Sequence, residues 1–174
     1  ELVLDISKNM EEFDGQWDMW LIDDASPDQG ETISAIRRIT ESYQNVSGVE
    51  LQFNSGQTGA LLCGYSHCKG EYVISMSDDF QNPPSQLKKL IRASQKYPQF
   101  DCVFGKRIGK SYSFFRSFGS RMVSSIYRNS RFGSEGVEIT GFFIMKDKLK
   151  SAMIEHNSRV LTFGPLILHF LHFV

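Results

Sequence analysis

Early in the chain the apolar positions change period twice. Leu2, Val3, Ile6, Met10 and Phe13 recur at helical spacing, with Asp5, Lys8, Glu11 and Glu12 on the opposite face, so the chain begins inside a helix. Trp17 to Ile22 then reads as a short strand that ends in two acids, Asp23 and Asp24. Beyond it Ser26 suits an N-cap, Pro27 the first helical position and Gln29 the reciprocal capping-box position, with Ile33, Ile36 and Ile39 lining the helix that follows. Val49 to Phe53 reads as a strand and Asn54 to Gly59 as a glycine-bearing turn; Ala60, Leu61 and Gly64 lie on a helix that Gly70 closes. Tyr72, Val73, Ile74 and Met76 form a further strand, again ending in two acids, Asp78 and Asp79, before Pro83-Pro84, which can continue neither strand nor helix. Leu87, Leu90 and Ile91 mark a helix behind the prolines, and Asp101 to Phe104 a further strand. Strands alternating with helices at these spacings predict an α/β fold with a mainly parallel sheet and helices on both faces.

Length narrows this picture. A chain of 174 residues, 41% hydrophobic and 22% charged, supports one packed core and is short for two, so a single domain over 1–174 is expected. Its net charge of −1 argues against a nucleic-acid partner. Cys63, Cys68 and Cys102 are too few for a disulfide scaffold and lack zinc-site spacing, which points to reduced thiols and a cytoplasmic setting. His67, His156, His169 and His172 fall in no metal-ligand or triad spacing. No apolar run reaches the roughly 18 residues of a membrane helix.

The chemistry concentrates where strands end. In open α/β sheets ligands bind beyond the carboxyl ends of strands, which is where Asp23, Asp24, Asp78 and Asp79 fall. Capping of the helix after Pro84 is the plainer role for Asp78 and Asp79. The turn Asn54-Ser55-Gly56-Gln57-Thr58-Gly59 could hold phosphate through backbone N–H groups, although it matches neither the P-loop nor the dinucleotide fingerprint. Charge is one-sided further on: Cys102 to Ser134 holds Lys106, Arg107, Lys110, Arg116, Arg121, Arg128 and Arg131 and no acid. Phe115, Phe118, Met122, Val123, Ile126 and Tyr127 recur there at helical spacing, giving a basic amphipathic helix suited either to an ordinary solvated face or to anionic lipid.

IDDASPDQG at Ile22–Gly30, NSGQTGALLCG at Asn54–Gly64 and ISMSDDFQNPP at Ile74–Pro84 resemble three successive signatures of family 2 glycosyltransferases, nearest in look to the dolichyl-phosphate mannose synthase and bacterial polyprenyl-phosphate sugar transferase branch. The resemblance covers Trp17 to Arg107 well and implies a GT-A fold that binds a UDP- or GDP-linked sugar. It puts the nucleotide against Asp24 with Asp23 beside it, and against Asn54, Gln57, Asp78 and Asp79. The family's DxD motif falls on Ser77-Asp78-Asp79, so that Mg²⁺ or Mn²⁺ on the donor diphosphate would be held by Asp79 and Gln81, with Ser77 standing where the first Asp is usual. One or two carboxylates suffice for such an ion because phosphate oxygens and water complete its shell. Gly105-Lys106-Arg107 resembles the glycine-arginine element near the diphosphate, and Glu138 to Met145 the acceptor segment, in which Glu138 is the nearest carboxylate to the Gly-Phe pair.

The resulting expectation is a metal-dependent, inverting glycosyltransferase of the hexosyltransferase type, associated with the cytoplasmic face of the membrane and serving cell-envelope polysaccharide synthesis. Asp79, Arg107 and Glu138 are the catalytic candidates, with Lys106, Arg107 and Arg116 for a polyprenyl-phosphate acceptor. A phosphate acceptor is already ionised near neutral pH and needs cations, whereas a hydroxyl needs a general base. The carboxylates after Asp101 number only Glu135, Glu138, Asp147 and Glu155. A receiver-like signalling domain built on Asp79 and Lys106 is the rival reading, but it gives the double proline and the NSGQTG turn no role. A degenerate nucleotide-sugar-binding domain is another. The resemblance also implies a strand before Glu1 and further chain after Val174, so the native protein is expected to be longer.

Overall fold

The computed structural model describes residues 1–105 and 141–156. The helix α1 spans Leu2–Met10, β1 Met19–Asp23, α2 Glu31–Ser42, β2 Val46–Glu50, α3 Gly56–His67 and β3 Tyr72–Ser75. A single 3₁₀ turn at Pro84–Gln86 leads into α4, Leu87–Lys96; β4 is Cys102–Phe104, β5 Phe143–Lys146 and α5 Asp147–His156. The fold is α/β, of the GT-A type.

The strands form two sheets. β1 and β2 pair in parallel from Met19 opposite Val46 to Asp23 opposite Glu50, so both strands end together in an acid. The second sheet has the order β3-β5-β4, with β5 antiparallel to both neighbours. β3 and β4 therefore run in the same direction, but they are separated by a strand from later in the chain. Side chains along β5 alternate between faces, as a pleated strand requires. Phe143 and Met145 pack with Tyr65 of α3, Val73 of β3, and Leu149 and Met153 of α5. Phe142, just before β5, and Ile144 pack with Met10 of α1 and Leu87 and Leu90 of α4. This sheet thus carries helices on both faces, and β5 is the layer common to the two cores.

Several boundaries differ from the sequence reading. The second strand runs from Val46 to Glu50, not Val49 to Phe53, because its ladder with β1 ends at Glu50; Phe53 lies outside the sheet and is 70% exposed. α3 starts at Gly56, so the glycines of NSGQTG form its first turn, and it ends at His67, before Gly70. α2 begins at Glu31, with Gly30 in the N-cap position at φ 90°. Ser26 is not its cap: the Thr32 N–H donates to Asp28 Oδ2 at 2.9 Å, joined by the Thr32 hydroxyl, and the Gly30 N–H donates to Oδ1 at 3.1 Å. Asp28 does what Ser26 was expected to do, because Gln29 and Gly30 are left-handed and delay the helix. The segment read as an acceptor site supplies Phe142 to Met145 to the core, each at most 4% exposed. The basic stretch from Lys106, including Arg107, Arg116, Arg121 and Arg128, lies outside the described residues, as does Glu138 beyond it. Among those described, no helix is long and apolar enough to cross a membrane.

Close approach fixes two glycines. A Cβ on Gly48 of β2 would meet Ile36 Cγ2 of α2 at 2.2 Å, and one on Gly105 would meet the Phe142 ring at 2.4 Å. Phe143 is fully buried between helices and its ring centroid lies 5.4 Å from that of Phe104. Phe143→Ala should therefore cost about 3–5 kcal/mol in denaturant unfolding, whereas Phe53→Ala should stay within about 0.5 kcal/mol. Equal effects would contradict this placement of the core.

Candidate active site

The two acid pairs predicted to carry the chemistry follow β1 and β3, and neighbouring groups give the members of each pair different work. Asp23 is buried at the end of β1, and its Oδ1 accepts both the Ser26 N–H (3.1 Å) and the Ser26 hydroxyl (2.6 Å). Its backbone C=O accepts the Leu51 N–H at 2.9 Å, tying the end of β1 to the residue that follows β2. Asp24 turns the other way: its Oδ1 accepts the Ser55 N–H at 2.7 Å, and its backbone C=O accepts the Asn54 side-chain amide at 3.2 Å. Asn54 Oδ1 in turn accepts the Gly56 N–H at 3.1 Å, at the start of α3. Predicted nucleotide contacts Asp24 and Asn54 are thereby brought together across about thirty residues of sequence. Gln57 sits exposed in the first turn of α3.

Beside Asp23 opens a cleft of about 420 Å³, bordered by Ser26, Ile33, Glu50, Leu51 and Gln52. Its two carboxylates are the in-register ends of β1 and β2. Such a lining repels phosphate and suits hydroxyl or amino donors. Sequence reasoning missed Glu50 and Gln52 because the second strand was placed three residues too late.

The second cluster is a single turn after β3. Asp79 Oδ1 accepts the Ser77 hydroxyl at 2.8 Å and the Gln81 N–H at 3.1 Å. Asp78, Asp79, Phe80 and Gln81 are exposed, and Phe80 holds a left-handed backbone at φ 55°. The other left-handed non-glycines among the described residues, Ala25 and Gln29, lie in the loop that follows Asp23. Non-glycine residues in this region cost of order 1 kcal/mol or more and persist where surrounding structure imposes them, often at functional sites. Asp78 and Asp79 do not cap α4, whose N-cap is Gln86.

Whether this turn suits a divalent ion can be judged from its donors. Carboxylate and amide oxygens are hard donors of the type Mg²⁺ and Mn²⁺ take. Among the described residues no three His, Cys, Asp or Glu side chains form a metal-holding group. The set fits an ion that brings most of its oxygen ligands with it on a diphosphate, and does not fit a fully protein-built cage. The cysteines stand apart from this chemistry: all three are unpaired, and burial pushes the Cys102 thiol up to about 12, far from a reactive thiolate.

A family model described as "Glycosyl transferase family 2" matches residues 3–151. Among curated proteins, the undecaprenyl-phosphate 4-deoxy-4-formamido-L-arabinose transferase of Salmonella choleraesuis (strain SC-B67) is 27% identical over 130 residues, which is 75% of this chain and 39% of that protein. The enzymes of the same name from Salmonella paratyphi B and Salmonella newport match to the same extent. The chain thus spans 39% of the length of these relatives.

The cap of the first cluster gives a pH signature. The Thr32 hydroxyl, foremost, holds the Asp28 carboxyl below its ordinary 3.8, with the Thr32 and Gly30 N–H groups adding to the effect. A depressed folded value means the charged form stabilises the fold above the unfolded value, and this contribution is lost as pH falls through the folded one. Asp28→Asn, which keeps an acceptor but not the charge, should flatten the acid limb of stability measured between about pH 5 and pH 2. An unchanged acid limb would show that the cap charge contributes nothing.

Proposed function

From the chain's membership of glycosyl transferase family 2, we propose that it transfers a sugar from a nucleotide-diphospho-sugar to a polyprenyl phosphate, with inversion at the anomeric carbon. The observation that supports this reading is the Ser77–Gln81 turn: an exposed carboxylate at a strand end whose Oδ1 accepts the Ser77 hydroxyl and the Gln81 N–H, in the segment that resembles the family's metal motif. The names of the Salmonella relatives support the acceptor class. The domain assignment is a single catalytic unit.

In this reading the cleft beside Asp23 takes the nucleoside. Asp24, braced by Asn54 and Ser55, and the acids at the ends of β1 and β2 accept hydrogen bonds from the base and ribose. Asp79, with Asp78 and Gln81 beside it, holds Mg²⁺ or Mn²⁺ on the donor diphosphate; the ion supplies positive charge that stabilises the departing diphosphate. The segment beginning at Lys106 continues from β4, whose end is fixed by Gly105 N–H donating to the Phe142 C=O at 2.9 Å. Lys106, Arg107 and Arg116 bind the acceptor phosphate, for which the planar guanidinium fork of arginine is suited. An ionised phosphate oxygen attacks without a general base, leaving Glu138 a secondary part. The same basic segment gives the protein its contact with an anionic membrane face.

Two outcomes test this. Asp79→Asn should weaken Mn²⁺-dependent binding of UDP or GDP about tenfold or more, as a charge-assisted contact of roughly 1.5–3 kcal/mol requires. Calorimetric affinity unchanged in that variant and on chelation would refute metal-held donor binding. For the acceptor, Arg107→Ala should cut turnover by about a hundredfold, and Glu138→Gln by no more than about threefold, as expected for loss of a phosphate contact without loss of a base. Abolition of transfer by Glu138→Gln with intact donor binding would make Glu138 the base and a sugar hydroxyl the acceptor.

A further inference from the structure

We propose that Ser77 is a positioning residue for Asp79: its hydroxyl presets the carboxylate that meets the metal on the donor diphosphate. The proposal rests on the metal-held donor described above. In the family pattern position 77 would carry a second acid, and Ser77 reads as a missing ligand. The structure assigns it a different task, because a hydroxyl can donate where a carboxylate can only accept. Ser77 Oγ donates to Asp79 Oδ1 at 2.8 Å, and the Gln81 N–H donates to the same oxygen at 3.1 Å.

The origin of the two donors gives the arrangement its force. Ser77 is half-buried and follows closely on Ser75, which is buried and in register with Phe143; Met76, between them, packs against the core formed by Met10, Leu87 and Ile144. The hydroxyl therefore hangs from a rigid strand end, while Asp79 stands on an exposed turn whose next residue, Phe80, is left-handed. An exposed Asp has several staggered χ1 wells and a broad χ2 open to it, and each donor on its carboxylate narrows that range. Two donors converging on Oδ1 from either side of the sequence select one carboxylate plane, so an incoming ion meets a ligand whose ordering is already complete. An acid at position 77 would gain a ligand at the cost of this donor.

The test measures Mn²⁺ by electron paramagnetic resonance on the full chain, titrated in the presence of UDP and, separately, GDP, with thermal unfolding of each variant recorded alongside. Ser77→Ala should weaken Mn²⁺ binding about three- to tenfold, Ser77→Thr, which keeps the hydroxyl, should retain it, and Ser77→Ala should have no further effect in an Asp79→Asn background. If Asp79→Asn weakens binding but Ser77→Ala does not, the positioning role is overturned while the metal reading stands. If Asp79→Asn itself leaves Mn²⁺ binding unchanged, the metal reading fails and takes this proposal with it. A loss in Ser77→Ala that Ser77→Thr does not restore, or that follows a fall in the folded fraction at the assay temperature, would also overturn it.

Discussion

A strand of four residues, Phe143 to Lys146, has to satisfy four demands at once, and the described structure is arranged around it. Its backbone pairs with β3 on one edge and β4 on the other. Its side chains feed a core with α3 and α5 on one face, and with Ile144 and the preceding Phe142 a second core with α1 and α4 on the other. Burial on both faces explains why Phe142-Phe143-Ile144-Met145 is an unbroken apolar run without the alternation of a half-wet strand. It also limits what can change there, since a volume change disturbs two packed layers and two ladders together.

The acid loops show how little neighbouring identical residues need share. Asp23 and Asp24 differ by one step along the backbone, yet the carboxylate of the first is buried and accepts from nearby Ser26, and that of the second reaches the turn before α3. Asp23 shapes the loop and Asp24 couples it to Asn54 and Ser55. The cleft beside Asp23 is acidic along its border, so the phosphates of a ligand seated there would have to lie outside it.

Much of this was legible from periodicity. The helical rows of α1, α2 and α4 and the strand runs of β3 and β4 are local patterns, and local patterns are what a sequence displays. What failed was decided by partners. The start of β2 is set by its ladder with β1, and no property of Val49 to Phe53 announces that the ladder stops at Glu50. Ser26 and Asp28 are both good caps by residue type, and the left-handed Gln29 and Gly30 decided between them. The run at Phe142 to Met145 could be recognised as apolar, but its antiparallel place between two strands that point the same way was not written in its composition. At the candidate site the acids and their order were readable; that Ser77 faces Asp79 was not, because a two-residue spacing says nothing about which way a hydroxyl turns.

Strand β5 also governs when the chain can fold. It pairs with Tyr72–Ser75 from about seventy residues away and with Cys102–Phe104 from about forty. The entropy of closing such loops must be met before the pairing returns anything. During synthesis, β3 and β4 emerge long before the strand that separates them. Until Lys146 has left the ribosome, each presents an unpaired edge, and the apolar side of α4 lacks Phe142 and Ile144 to cover it. Nascent chains of this sequence pass through a window of exposed edges and apolar surface in which self-association competes with folding. A chaperone that shields β3 and β4 during that interval would raise the yield of folded protein without touching its final stability.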